Sequence, residues 1–301
     1  MDEPKHPIAE TLIQLVRELR LKSGLSLEAA ADQAGIHRTY LGLLERGERQ
    51  PTLSVAIQIA RSLNFELSSL LLKSELIDAG KLRREDAFAE ALARKEKPEC
   101  IRNVSALEKW TGLSSAMLLQ SIQACYSMLD TIDAELVGSG VAPIGKLVEL
   151  ANLSSMVGNM VAGAIAECSD GLYRRNKPHH YPDLIPQKEL GRNLELKMAL
   201  ETNRPKGHLP KPGDYITFRY VLGDRKGKYA RGKESRGDTV WIWEVKVGRV
   251  REQDFDISNT EGDSGKTAVV KTAVFNTMPL VYFDPVYCPF ASRKDQYPGF
   301  N

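Results

Sequence analysis

Long apolar runs are missing from this chain of 301 residues. None reaches the ~18 residues that a transmembrane helix needs, so no membrane attachment is expected. The acidic start Met1-Asp2-Glu3 is not that of a signal peptide, and a cytoplasmic location follows as an expectation. Cysteine is scarce: Cys100, Cys125, Cys168 and Cys288 stand far apart without a C-x-x-C pair. That spacing argues for reduced thiols and against a disulfide scaffold or a zinc site. Net charge is small at +2, but it is unevenly spread. Between Gly171 and Arg236, eight Lys and eight Arg stand against three Asp and four Glu. A local excess of this kind suits a polyanionic backbone, a solvated basic face being the plainer alternative. Hydrophobic content of 42% and charged content of 27% are ordinary, and the length allows two domains with separate cores.

Residues 8–73 predict five short helices. Ile8, Leu12, Leu15, Val16 and Leu19 recur at helical spacing, and Gly24 stops the first helix. Ser26 caps a second over Leu27 to Ala34, Gly35 supplies a turn, and a third runs from about His37 to Arg46. Pro51 and Thr52 open a fourth, and Phe65, Leu67, Leu70 and Leu71 complete the unit. Ala30 and Ala31 are small enough for close helix crossing, while Ile36, Leu41 and Leu44 fill a shared core. With Gly35-Ile36-His37-Arg38-Thr39-Tyr40-Leu41 and Glu45-Arg46-Gly47-Glu48-Arg49-Gln50-Pro51-Thr52, this stretch resembles the Cro and phage-repressor helix-turn-helix family. The resemblance implies that the third helix enters a DNA major groove. By position, Arg38, Thr39 and Leu43 would face bases, and Tyr40 and Arg46 would touch phosphates. Leu43 departs from the polar residue often found there, so it would either meet a thymine methyl or make no base contact. An inert helical bundle used for dimerisation is the plain alternative.

Residues 74–138 read as a helical connector and support region. Bases and acids alternate from Lys81 to Lys97, as on an exposed connector helix. Val104 to Leu136 is more apolar, with Trp110, Leu113, Met117, Leu118, Ile122, Tyr126 and Leu129 near helical spacing. A long helix is predicted from Ile144 to about Cys168, with Glu149 and Glu167 five turns apart on one face.

The chemistry concentrates further on. Pro182-Asp183 is followed by Arg192-Asn193-Leu194-Glu195-Leu196-Lys197-Met198, where apolar and polar residues alternate. This predicts a short strand with Glu195 and Lys197 on one face, and Gly191 provides a turn back to Asp183. Two carboxylates with open water positions suit Mg²⁺, and an adjacent lysine can orient or help deprotonate a metal-bound water. These residues resemble the PD-(D/E)XK nuclease superfamily, whose largest membership is the type II restriction endonucleases. The resemblance carries Asp183, Glu195 and Lys197 onto the catalytic motif, with Asp183 and Glu195 as metal ligands. Nucleases of this type often add a helical acid, for which Glu167 and Glu149 are the candidates; a salt bridge is the plainer fate of each. A second E-x-K lies at Trp243-Glu244-Val245-Lys246, with only Asp238 nearby.

Arg174, Arg175 and Lys177 precede the Pro182-Asp183 element and are natural phosphate clamps. The adjacent His179 and His180 would point opposite ways on an extended segment and rarely share an ion, so they are read as DNA contacts or surface groups. Tyr215 to Leu222 and Val240 to Val247 are predicted strands, and the basic, glycine-rich loop between them suits either closure on DNA or a plain hairpin connection. Gly262 to Thr267 has part of a phosphate-binding loop, but Thr260 stands where its first glycine belongs, which excludes an NTPase. Asn259 to Thr267 is a recognition-loop candidate, or an ordinary turn.

The fold class expected is therefore α plus α/β. A five-helix helix-turn-helix domain (8–73) and a helical connector (74–138) precede a mixed α/β PD-(D/E)XK core (139–301). The expected function is Mg²⁺-dependent, site-specific cleavage of double-stranded DNA as a type II restriction enzyme, with a helix-turn-helix that regulates its own gene. The resemblance further implies 5′-phosphate products, a homodimer on a palindromic site and a cognate methyltransferase as functional companion. The competing reading is a transcription regulator whose second domain senses a ligand or partner. A structure-directed repair nuclease would share the chemistry but not the site preference.

Overall fold

A computed structural model describes residues 6–178, 180–258, 267–290 and 297. The chain divides into two compact units, Met1–Glu90 with Asp133–Ala142, and Ala91–Ile132 with Pro143–Asn301. The stretch 74–138 is thus shared between them.

The first unit is built from α1 (Pro7–Lys22), α2 (Leu27–Ala34), α3 (Arg38–Glu45), α4 (Leu53–Ser62) and α5 (Leu67–Asp78). Local chemistry sets most of these ends. Ser26 Oγ accepts from the Ala29 amide at 3.1 Å and Thr52 Oγ1 from Val55 at 3.4 Å, each satisfying an orphan donor at a helix start. Gly35 closes α2 in the left-handed region at φ +65°, a conformation that costs glycine little. Leu12, Val16, Ala31, Leu41, Leu44, Ile59 and Leu70 form one buried core. Within it the Arg20 guanidinium grips both oxygens of Glu45 at 2.7 and 2.9 Å and donates to Leu25 O at 2.8 Å, locking α1 to the end of α3.

Lys81 to Lys97 departs from the expected helix. It holds only a 3₁₀ turn at Arg84–Asp86 and is otherwise irregular. Its side chains are committed to tertiary partners within each unit. Leu82 and Ala87 pack on Leu15, and the Phe88 ring meets Phe65 edge-on at 5.6 Å. Further along, in the second unit, Arg94 lies 4.0 Å from the Tyr126 ring and 4.3 Å from that of Trp241, paired with the buried Asp130. Lys97 reaches Asp284 at 2.5 Å.

The second unit contains α6 (Val104–Thr111), α7 (Ser115–Gly138, as far as Ile132), α8 (Ile144–Leu147) and α9 (Leu150–Cys168). The apolar stretch 104–136 is broken at Gly112, φ +69°, where the Leu190 carbonyl would lie 2.5 Å from any Cβ. The single long helix expected from Ile144 is also interrupted. Val148 and Glu149 are extended, and Glu149 is the N-cap of α9 rather than a residue within it.

The strands are β1 (Tyr173–Arg175), β2 (Leu184–Pro186), β3 (Leu194–Leu200), β4 (Lys206–Gly207), β5 (Gly213–Gly223), β6 (Thr239–Val250), β7 (Phe255–Ser258), β8 (Thr267–Val270) and β9 (Leu280–Phe283), with α10 (Thr272–Thr277) between the last two. Six of them form a mixed sheet in the order β1-β2-β3-β5-β6-β9, and β4-β8-β7 form a second, small sheet. In the larger sheet β3 and β5 are parallel and the other pairings antiparallel. Helix α9 packs on β3 and β1, and Leu153, Val157, Val161 and Ile165 join Leu196, Ile216, Phe218 and Ile242 in the main core.

Breaking a buried, bidentate ion pair from one side strands the other charge, at a cost of about 3–5 kcal/mol. Glu45→Ala should therefore destabilise the first unit by that amount. The check is urea unfolding of the full chain, which should show an earlier transition with the same slope for the remainder.

Candidate active site and nucleic-acid interface

Hydrogen bonding across β2 and β3 brings the Pro182-Asp183 element to the Glu-x-Lys stretch. Leu184 pairs with Leu194, and Asp183 Oδ2 accepts from the Leu196 amide at 2.8 Å. The strand period of two then does the rest. Glu195 and Lys197 share a face, and the Lys197 ammonium donates to Glu195 Oε1 while lying 3.9 Å from Asp183 Oδ2. Two carboxylates and one ammonium stand together, with a second ammonium beside them: Lys211 Nζ is 3.7 Å from Glu195 Oε1. No sequence spacing pointed to Lys211. It enters because β5 runs parallel to β3, placing the residues before Asp214 alongside those before Leu194.

Exposure differs sharply across the cluster. Asp183 is 39% exposed at its side chain, Lys197 22% and Glu195 1%. Burial raises the pKa of the Glu195 carboxyl above the ordinary range, opposed by the charge of Lys197 and assisted by that of Asp183. Its Oε2 is buried with no hydrogen-bond partner among the described residues. An orphaned carboxylate oxygen next to a second carboxylate is a donor set that fits a small hard cation. No third His, Cys, Asp or Glu completes the set among the described residues.

Glu149 and Glu167 fall at opposite ends of α9, both exposed. Neither is joined to Asp183, Glu195 or Lys197 by a hydrogen bond or ion pair among the described residues. Arg174, Arg175 and Lys177 lie exposed on or just after β1, whose Arg175 pairs with Leu184, one residue from Asp183. Arg175 also donates to Asn159 Oδ1 at 3.0 Å. His180 is exposed with Nδ1 3.0 Å from Pro178 O, while His179 lies outside the described residues, as does most of Asn259 to Thr267. The basic loop after β5 is tied down at its start, where Asp224 Oδ1 accepts from the Lys226 and Lys228 amides at 2.9 and 2.8 Å.

The second Glu-x-Lys has a different environment. Glu244 is fully buried and its two oxygens are taken by the Arg219 guanidinium. The Lys246 ammonium, also buried, donates to the carbonyls of Phe275 at 2.9 Å and Asn276 at 3.2 Å, at the end of α10. Every group is consumed within the fold.

In the first unit, Arg38 and Thr39 open α3 on the exposed side, where Arg38 Nη1 is 4.0 Å from Glu28. Tyr40 is half-buried against the core, and Leu43 is half-buried. Arg46, the C-cap of α3, pairs with Glu48. Two helices joined through a left-handed glycine, the second presenting its first turn to solvent, form the arrangement used to read DNA.

A helix-turn-helix family model matches residues 16–70. The control protein C.SmaI of Serratia marcescens is 44% identical over 69 residues, 23% of this chain and 82% of that protein. The control protein C.BamHI of Bacillus amyloliquefaciens is 39% identical over 59 residues, 19% of this chain and 73% of its own length. The solved restriction-modification controller protein C.AhdI of Aeromonas hydrophila is 36% identical, covering 21% of this chain and 94% of that one at a TM-score of 0.20. The first unit is a DNA-binding module. Through its residues 16–70 the chain belongs to the helix-turn-helix family.

Burial pushes the Lys246 ammonium down to about 8, with Glu244 opposing and Arg219 reinforcing the shift. The folded chain then sheds a proton that the unfolded chain holds up to the ordinary lysine value of about 10.4, so stability rises with pH over that interval. The rise from this group is about 3 kcal/mol at most. Urea titrations at pH 8 and pH 10 should show it in the wild type and not in Lys246→Met.

Proposed function

We propose that the second unit is a Mg²⁺-dependent endonuclease core of the PD-(D/E)XK type, and that the chain is a restriction enzyme carrying its own DNA-reading domain. The observation that carries this reading is the convergence of Asp183, Glu195 and Lys197 at one end of paired strands, with a carboxylate oxygen left unsatisfied. An exposed structural salt bridge would not need a carboxylate that is 1% exposed and half unpartnered. The sealed Glu244 and Lys246 supply the contrast.

Asp183 and Glu195 would hold Mg²⁺, which is commonly bound through one or two carboxylates with water completing its shell. When bound, the ion lowers the pKa of a coordinated water and stabilises charge on a phosphoryl oxygen. Lys197 orients the attacking water and keeps positive charge next to the phosphodiester. Asp183, fixed by the Leu196 amide, holds its carboxylate in register with Glu195. Arg174, Arg175 and Lys177 then hold the flanking phosphates. The products would carry 5′-phosphates, and a homodimer would match a palindromic site.

The helix-turn-helix has a different role. Its relatives include control proteins and a restriction-modification controller. The first unit has a core of its own, so it can read a sequence other than the one cut. Its target would be the protein's own promoter, holding the nuclease back until a protecting methyltransferase accumulates. The same likeness favours a second reading, a regulator whose second unit senses a ligand or partner. That reading leaves the carboxylate pair without a task.

Asp183→Asn should lower cleavage by at least about a hundredfold, the scale on which catalytic electrostatics act. Lys197→Ala should abolish it, and Lys246→Met should not once folding is verified. Quantitative plasmid cleavage reads all three; full activity in Asp183→Asn sinks the metal assignment. Arg38→Ala should cost about 1–3 kcal/mol at the promoter sequence, the worth of a base-reading side chain. A gel shift of the full chain, alongside a map of its cut sites, checks this. A change in the sequence that is cut would assign the helix-turn-helix to target recognition instead.

A further inference from the structure

We propose that Lys211 is a second phosphate-binding lysine of the cleavage centre, an inference that rests on the nuclease reading above. Its position is built rather than incidental. The Tyr215 hydroxyl donates to Lys211 O at 2.7 Å, and the Tyr181 hydroxyl donates to Pro212 O at 2.6 Å. Both tyrosines flank the carboxylates: Tyr215 is the β5 partner of Glu195, and Tyr181 lies two residues before Asp183. Gly213 admits this approach, since a Cβ there would lie 2.0 Å from the Tyr181 hydroxyl oxygen. The segment 211–213 is thus tied to Tyr215 of β5, the strand paired with β3, and to Tyr181, two residues ahead of Asp183.

The Lys211 ammonium is not used up by this arrangement. It lies 3.7 Å from Glu195 Oε1, beyond hydrogen-bonding distance, and 5.3 Å from the centre of the Tyr181 ring. Glu195 Oε1 already accepts from Lys197, so Lys211 is not needed to satisfy it. No acceptor among the described residues takes its three protons, and its side chain is 40% exposed against 22% for Lys197. Lys197 is the inner ammonium and Lys211 the outer one.

Charge balance gives the outer group its purpose. Asp183 and Glu195 are offset by Lys197 and Lys211, so the centre is neutral without metal. With a divalent ion it presents two positive charges to the phosphodiester, where a site with one lysine would present one. Lys211 therefore contacts a non-bridging oxygen of the scissile phosphate or its immediate neighbour, and contributes to substrate capture as well as to the rate.

The test is steady-state plasmid cleavage by the full chain with Mg²⁺, as a function of salt and pH. Lys211→Gln should lower kcat/KM roughly tenfold or more, the range of a lost charge-assisted hydrogen bond. The slope of log kcat/KM against log salt should become shallower by about one, for one phosphate contact removed. Lys211→Arg keeps the charge and should recover most of the loss with the wild-type slope. If Lys211→Gln instead shifts the pH profile with an unchanged salt slope, Lys211 only tunes Glu195 and the phosphate contact is overturned. Unchanged rate and slope overturn it too. Wild-type protein that cuts no DNA removes the nuclease reading itself, an outcome distinct from either.

Discussion

The parallel pairing of β3 with β5 is the constraint from which the proposed centre follows. Parallel neighbours cannot be joined by a tight turn, so the chain must leave the sheet after Leu200 and return at Gly213. That crossover carries β4 into the small second sheet and brings its last residues back to the start of β3. Lys211, Pro212 and Tyr215 meet Glu195 and Tyr181 for this reason alone. An antiparallel pair would have placed the far end of β5 there. Burial of Glu195 raises its carboxyl pKa, and one of its oxygens is left unpaired. The make-up of the cluster is thus a product of topology as much as of motif.

The two Glu-x-Lys copies show how little the motif fixes by itself. Both sit on strands with the acid and the base on one face. In β6 the neighbouring strand offers Arg219, whose planar fork takes both oxygens of Glu244, and the end of α10 offers carbonyls to Lys246. In β3 the neighbouring positions offer Asp183 and Lys211, a like charge and a partner beyond hydrogen-bonding reach. One copy is a closed structural network. The other retains a carboxylate oxygen without a hydrogen-bond partner, and access to solvent through Asp183 and Lys197. Aromatic rings reinforce the closed copy, with the Arg219 guanidinium 4.3 Å from the Trp243 ring and 4.9 Å from that of Phe275.

Legibility in the sequence followed the range of the forces involved. Ser26, Gly35 and Thr52 act on their own helix ends, so α2 and the starts of α3 and α4 could be read directly. The two long central strands were visible as β-branched and aromatic runs. The alternation at Leu194 to Met198 put Glu195 and Lys197 on one face, and the pairing of Leu184 with Leu194 supplied the return to Asp183. Lys81 to Lys97 misled because its charge pattern fits a helix while Arg94 and Lys97 are held by Asp130 and Asp284, residues remote in sequence. The break at Val148 and Glu149, and the Arg20 to Glu45 lock, had no local signal either. Lys211 was invisible for the same reason, since strand direction is not written in residue spacing.

Asp183, Glu195 and Lys197 are proposed to form a metal-dependent DNA-cleaving centre. Its most direct measurement is incubation of the purified full chain with supercoiled plasmid in Mg²⁺ and in chelator, followed by sequencing of the cut ends. Discrete fragments with 5′-phosphates at one recurrent sequence are expected with Mg²⁺ and not with chelator. Plasmid left intact across divalent ions, by protein that still binds DNA through its helix-turn-helix, would contradict it and leave the second unit as the sensing part of a regulator.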